Sequence, residues 1–212
     1  RKLERAGQTM GNFPLPTSHF PLHPLVPKRI LVIRLDRIGD VILSTPVLQA
    51  LRNHFPHAFI AMMVQPACND VVEGNPYINE VVLYDKDGAH RRVTATLRFA
   101  QQLKRFDFDT ALILHPSNRS HWVPWLARIP VRVGYDRKCG WLLTHRIPHR
   151  KHEGSKHEAS YTLEMLDVFG IRSLASAPFV PIHERATRRV ADLLAESSIQ
   201  PSDQLVAIHP SA

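Results

Sequence analysis

Two carboxylates stand four residues apart in Asp36-Arg37-Ile38-Gly39-Asp40, directly after the apolar run Ile30-Leu31-Val32-Ile33 and a short Arg34-Leu35 step. A carboxylate within hydrogen-bond reach of a substrate hydroxyl can take its proton, and a neighbouring glycine lets another molecule come close to the backbone. The turn is not a dinucleotide fingerprint, because it holds Gly39 alone where G-x-G-x-x-G needs three glycines. No G-x-x-x-x-G-K-[ST] occurs in the chain, so a P-loop is also out. An NAD-dependent oxidoreductase is disfavoured for the same lack of glycines. Asp40 has a second reading: at the start of a helix it would cap free N–H groups and suit the helix dipole. Such capping favours the charged form and makes a weaker base.

Cationic side chains supply the rest of the candidate chemistry. His90-Arg91-Arg92 follow a strand-like run, and Arg119 follows Leu114-His115-Pro116-Ser117-Asn118. Guanidinium groups at such positions bind carboxylates and phosphates through paired charged hydrogen bonds, although a solvated surface charge is the plain alternative. His145, His149, His152 and His157 lie close in sequence, but Pro148 opposes the helix that His-x₃-His ligation needs, and no Cys-x₂-Cys helps. A basic loop without a metal is the expectation. Cys68 and Cys139 are expected to be packing residues, and Trp122, Trp125 and Trp141, which could stack on sugar rings, to be core.

The elements that must hold these residues alternate. Strands are expected at Ile30–Ile33, Phe59–Val64, Glu80–Tyr84, Ala111–Leu114 and Val131–Val133. Helices are expected after Pro46 (Val47, Leu48, Leu51 and Phe55 on one face, with Ser44 or Thr45 as cap), at Cys68–Glu73 and at Thr94–Arg105 with Leu97, Ala100, Gln101 and Lys104 in phase. Others follow at His121–Ala127 and at His157–Phe169 stopped by Gly170. This pattern predicts an α/β, Rossmann-like, mainly parallel sheet with helices on both faces. Ligands of such sheets lie beyond the carboxyl ends of the strands, where Asp40 falls. Residues 1–27, with five prolines from Pro14 to Pro27, read as an irregular leader, and 28–182 as the main domain. The stretch 183–204 reads as a connecting helix with Val190, Leu193 and Leu194 inward, and 205–212 as the first strand of a second, truncated domain.

Composition narrows the partners. The 212 residues carry a formal charge of +8, which favours an anionic partner such as a phosphorylated substrate or a membrane surface. The basic residues form no long block interleaved with aromatics, so nucleic acid is not expected. No apolar run is long enough to span a membrane, no signal peptide is recognisable, and two distant cysteines suit a reducing cytoplasm.

The string from Ile30 to Leu48, with its apolar strand, Arg34, Gly39-Asp40, an apolar pair and Thr45-Pro46, resembles the amino-terminal signature of glycosyltransferase family 9, the ADP-heptose:lipopolysaccharide heptosyltransferases. Arg52-Asn53-His54-Phe55-Pro56, Asn75-Pro76-Tyr77-Ile78, Arg132-Val133-Gly134-Tyr135 and His157-Glu158 are similar to the family in the same order. The resemblance implies one half of a GT-B enzyme, in which this domain takes the acceptor sugar and a second holds the nucleotide sugar. It implies Asp40 as general base of an inverting transfer from ADP-heptose to an acidic, lipid-linked core saccharide, without metal or other cofactor. Arg37, Gly39, His90, Arg91, Arg92 and Arg119 are the expected acceptor contacts. Ser211, in a His-Pro-Gly-Ala-like turn, is an expected contact to the donor diphosphate. The implied location is peripheral, at the cytoplasmic face of the bacterial inner membrane. The rest of the donor half is expected to be missing, which leaves the chain inactive alone. A stand-alone module binding an acidic glycan or nucleotide, or a family member with another donor or acceptor, are the alternatives.

Overall fold

The structure, a computed structural model, describes residues 24–172, 177–200 and 202–208. Five β-branched or aliphatic runs form the parallel strands the alternation predicts: β1 (Arg29–Ile33), β2 (Phe59–Val64), β3 (Glu80–Leu83), β4 (Thr110–Ile113) and β5 (Val131–Tyr135). A sixth strand, β6 (His145–Ile147), pairs parallel with β5 and completes a sheet in the order β3-β2-β1-β4-β5-β6. β6 falls in the segment expected to be a basic loop. At three residues, flanked by Thr144 and Pro148, it has too little periodicity to read, and only the open edge of β5 makes it a strand.

Side chains alternate across the strands, so both faces of β1 are buried. Ile30 and Val32 join the core under α2 (Thr45–His54) and α5 (Glu158–Glu164), whose last turns continue as a 3₁₀ segment to Phe169. Leu31 and Ile33 face the opposite core under α3 (Val93–Leu103) and α4 (Asn118–Leu126). Burial on both faces is why the strand reads as a continuous apolar run. Each such side chain contributes about 1.5–3 kcal/mol. Gly170 ends the 3₁₀ segment with φ +75°, the left-handed stop its position predicts.

Several local expectations change. α3 packs through Thr96, Phe99, Ala100 and Leu103, which leaves Leu97, Gln101 and Lys104 on the outer face. The expected helix at Cys68–Glu73 is a 3₁₀ segment, Pro66–Val71. α4 begins three residues early because the Ser117 hydroxyl caps it, accepting from Ser120 N at 3.1 Å. Residues 24–27 are irregular as expected but docked: Leu25 N donates to Val168 O at 3.3 Å and its side chain packs on the core.

At the other end, α6 (Glu184–Glu196) forms but has no buried residue, so Val190 and Leu193 are exposed rather than inward and Leu194 is half-buried. Leu205–Ile208 form no strand and are exposed, because no neighbouring strand pairs with them among the described residues. Trp122, Trp125 and Trp141 are exposed too, not core. Among the described residues no helix is long and apolar enough to cross a membrane.

Candidate functional site

In this strand order the progression of strands across the sheet reverses between the parallel β1 and β4, and the crevice beyond their carboxyl ends is where such sheets bind ligands. Arg34 continues β1 by one residue, its N–H donating to Met63 O at 3.0 Å. Its guanidinium turns back beneath the crevice and is 2% exposed. A buried cation must be paired. Arg34 Nε donates to Asp36 Oδ1 at 2.7 Å, and Nη2 lies 3.1 Å from Glu158 Oε1 and 3.2 Å from Asp40 Oδ1. Nη1 donates to Leu114 O at 3.3 Å, which ties the ends of β1 and β4 together.

One buried arginine thus fixes three carboxylates from two segments, the Asp36–Asp40 turn and α5. Asp36 is braced further by His115 Nδ1 at 2.9 Å from Oδ2. Burial alone would raise its pKa, but the His115 hydrogen bond and the nearby Arg34 outweigh it and hold the carboxyl below its ordinary range. Gln65 Nε2 donates to the carbonyls of Leu35 and Asp36, at 3.0 and 3.1 Å, so the turn is pinned from β2. Lys151 reaches Glu158, and burial, partly opposed by that carboxylate, lowers the lysine's pKa.

Asp40 sits in the first turn of a short helix, α1 (Ile38–Ile42). The N-cap is Arg37, with no side-chain cap bond, so capping is not the bond Asp40 makes. Its carboxylate is anchored through Oδ1 to Arg34 and remains 34% exposed toward the crevice. The carbonyl of Asp40 accepts from Ser44 Oγ at 2.7 Å, which joins α1 to the start of α2.

The crevice is a cleft of about 630 Å³, the size of a small-molecule site. Asp36, Asp40 and Glu158 face six cations there: Arg34, Lys86, Arg119, Arg137, Lys138 and Lys151. The surplus of positive charge suits an anionic ligand around Asp40, the most exposed of the three carboxylates. Among the described residues no group of three or more His, Cys, Asp or Glu is placed to hold a metal ion.

The expected acceptor contacts divide. Arg119 lines the cleft, but its guanidinium holds the preceding loop, Nη1 donating to His90 O at 2.7 Å and Tyr84 Oη at 3.0 Å, and Nη2 to Arg91 O at 2.7 Å. His90 is turned inward: its ring stacks on Tyr84 at 4.9 Å, and Nδ1 accepts from Asp85 N at 3.0 Å. Burial lowers its pKa. His90, Arg91 and Arg92 are therefore near Arg119 yet do not line the cleft, because the loop's ordering consumes the ring and the carbonyls that face it. Arg37 and Gly39 are exposed on α1 and also lie outside the cleft wall. A Cβ on Gly39 would meet nothing within 4 Å, so any close approach there is by another molecule. Ser211 lies outside the described residues.

Lys86, His115, Arg137, Lys138, His149 and Lys151 were not foreseen. The signal was available for four of them, since Lys86 follows β3, His115 follows β4, and Arg137 and Lys138 follow β5 at its carboxyl end. His149 and Lys151 needed β6.

No family profile matches the chain. It is 27% identical over 107 residues to lipopolysaccharide heptosyltransferase 2 of Salmonella typhimurium, half of this chain and 31% of that protein. Lipooligosaccharide heptosyltransferase 2 of Haemophilus ducreyi is 22% identical over 125 residues, 59% of this chain and 36% of that protein. Among solved structures, a family 9 glycosyltransferase from Veillonella parvula superposes with a TM-score of 0.75 at 25% identity, over 86% of this chain and 55% of that one. The E. coli ADP-heptose lps heptosyltransferase II gives a TM-score of 0.61 at 20% identity, covering 82% and 51%. The chain therefore spans about half the length of these structures and 31–36% of the two heptosyltransferases named. Over the part that it spans, the chain is a relative of the family 9 glycosyltransferases, heptosyltransferases among them.

Proposed function

We propose that this chain forms the acceptor side of an inverting glycosyltransferase that moves heptose from ADP-heptose to the lipopolysaccharide inner core. The observation that carries the reading is Asp40: a carboxylate anchored on a buried arginine, open to a basic cleft at the switch point of a parallel sheet. The names of the relatives supply the sugar and the acceptor class.

In the reaction, an acceptor hydroxyl lies against the free side of the Asp40 carboxylate. As its oxygen attacks the anomeric carbon, the proton passes to Asp40, the bond from that carbon to the diphosphate breaks, and ADP leaves from the opposite face. The configuration inverts once. Arg34 keeps Asp40 oriented, and the cleft's surplus cations hold the acceptor's phosphates and carboxylates. The step as written uses no prosthetic group. A nucleotide-sugar domain supplies the donor, with Ser211 near its diphosphate, and the enzyme works peripherally at the cytoplasmic face of the inner membrane.

The test is the full-length protein with ADP-heptose and a Kdo-lipid acceptor, following ADP release and the anomeric configuration of the product by NMR. Acceptor-dependent release of ADP with an inverted product supports the reading. Turnover with a different nucleotide sugar overturns the donor alone, and saccharide binding without turnover of any nucleotide sugar overturns the transferase reading in favour of a binding module.

A further inference from the structure

The chain's three tryptophans stand together on the surface. Trp122 packs edge-on against Trp125, with ring centroids 5.3 Å apart, and against Trp141 at 6.0 Å. Their exposures are 37, 42 and 61%. The outer residues of α3, Val93 and Leu97, add exposed apolar surface, and Trp125 shares a groove with Leu97, Lys104 and Arg128. Scattered exposed apolar residues are ordinary, but a joined aromatic patch marks an interaction surface.

Charge identifies the partner. Residues 88–135, which contain α3, α4 and their approaches, hold eight lysines and arginines against two acids, Asp107 and Asp109. Their surplus of six is most of the +8 of the entire chain. A predominantly basic layer with indoles at its surface matches a lipid bilayer bearing anionic headgroups. Indole rings settle at headgroup depth, apolar body inward and N–H in the polar zone, while lysines and arginines meet the phosphates.

We infer that the Trp122–Trp125–Trp141 face, with Lys104 and Arg128 beside it, docks the protein on an anionic phospholipid surface. The position suits a lipid-linked substrate. α4 starts at the cleft with Asn118 and Arg119, and Trp122 follows one turn later; Lys138, in the cleft wall, precedes Trp141 by three residues. A saccharide can enter the cleft while its lipid stays in the bilayer, a link to catalysis that rests on the acceptor reading above.

The test uses the full-length protein and sedimentation with extruded vesicles of phosphatidylcholine, with or without phosphatidylglycerol. The protein is expected to sediment with the anionic vesicles, with blue-shifted indole emission and weaker binding as salt rises. Trp122→Ser/Trp125→Ser/Trp141→Ser is expected to lower partitioning at least about tenfold. Lys104→Gln/Arg128→Gln is expected to lower it about fivefold per charge removed, and this pair carries the test alone if the triple variant fails to fold. Both variants keep wild-type turnover on a water-soluble acceptor saccharide. Failure of the wild type to sediment, wild-type sedimentation by the charge variant, or indole emission unmoved by vesicles would overturn the inference; the last result would assign the face to a second copy or to another part of the polypeptide. Vesicle binding by a protein that transfers no sugar would refute the transferase reading and leave the docking face standing.

Discussion

Replacing Arg34 by Met removes the one group among the described residues that touches all three cleft carboxylates. Removing one partner of a buried ion pair typically costs about 3–5 kcal/mol, because a charge is left uncompensated. Arg34 itself is 2% exposed, but Asp36, Glu158 and Asp40 are 13, 26 and 34% exposed, so water screens part of what is stranded. Asp36 keeps His115 and Glu158 keeps Lys151, which softens the loss further. We therefore expect the low end, about 3 kcal/mol, or a melting temperature lower by about 6–12 °C for a chain of this size. Urea unfolding at neutral pH measures it. The pH dependence supplies a second reading. Asp36's folded pKa lies below 3.8, so its contribution is complete above that value and is lost as pH falls through the folded pKa. Without Arg34 that pKa rises and the contribution shrinks, and Arg34→Met/Asp36→Asn should recover part of the stability. A loss under about 1 kcal/mol, or no recovery in the double variant, would show that the three carboxylates are independently solvated and that Arg34 does not organise the site.

Two further outcomes follow from the same structure. Burial lowers the pKa of His90, His121, His145 and His149 from 6.5, so the unfolded chain takes up protons first. Stability should fall as pH drops below about 6.5 toward the folded values, and His121→Leu should flatten the slope of urea midpoint against pH. Gly39→Ala places a methyl in open space on a short helix, so stability should be unchanged or up to about 1 kcal/mol higher. If the acceptor passes there, its KM should rise about five- to hundredfold, the crowding cost of an added methyl; an unchanged KM removes Gly39 from the acceptor path.

The parallel sheet was legible because β1, β2 and β4 are buried on both faces and leave unbroken apolar runs. Asp40's place beside the cleft was legible through its position after the first strand, and the competing cap role is not seen, because Arg37 is the N-cap of α1 and the Asp40 carboxylate faces Arg34. Arg34 itself escaped notice: an arginine after a strand reads as a surface charge until partners distant in sequence, Glu158 above all, are brought to it. His90 to Arg92 were placed at the correct end of the sheet, yet which groups face the cleft depends on stacking against Tyr84 and Phe99, which pattern does not reveal. The tryptophans misled for the opposite reason. Apolar neighbours suggested core, but Val123 and Pro124 take the buried side of α4 and leave Trp122 and Trp125 outward.

The account turns on Asp40 as the proton acceptor, and the most direct measurement is the turnover of full-length Asp40→Asn with ADP-heptose and a Kdo-lipid acceptor. The amide keeps the shape of the side chain but not its basicity. We predict kcat lower by at least about 10²-fold, with acceptor KM and the unfolding midpoint close to wild type. A kcat within about threefold of wild type, with the fold intact, would contradict the assignment.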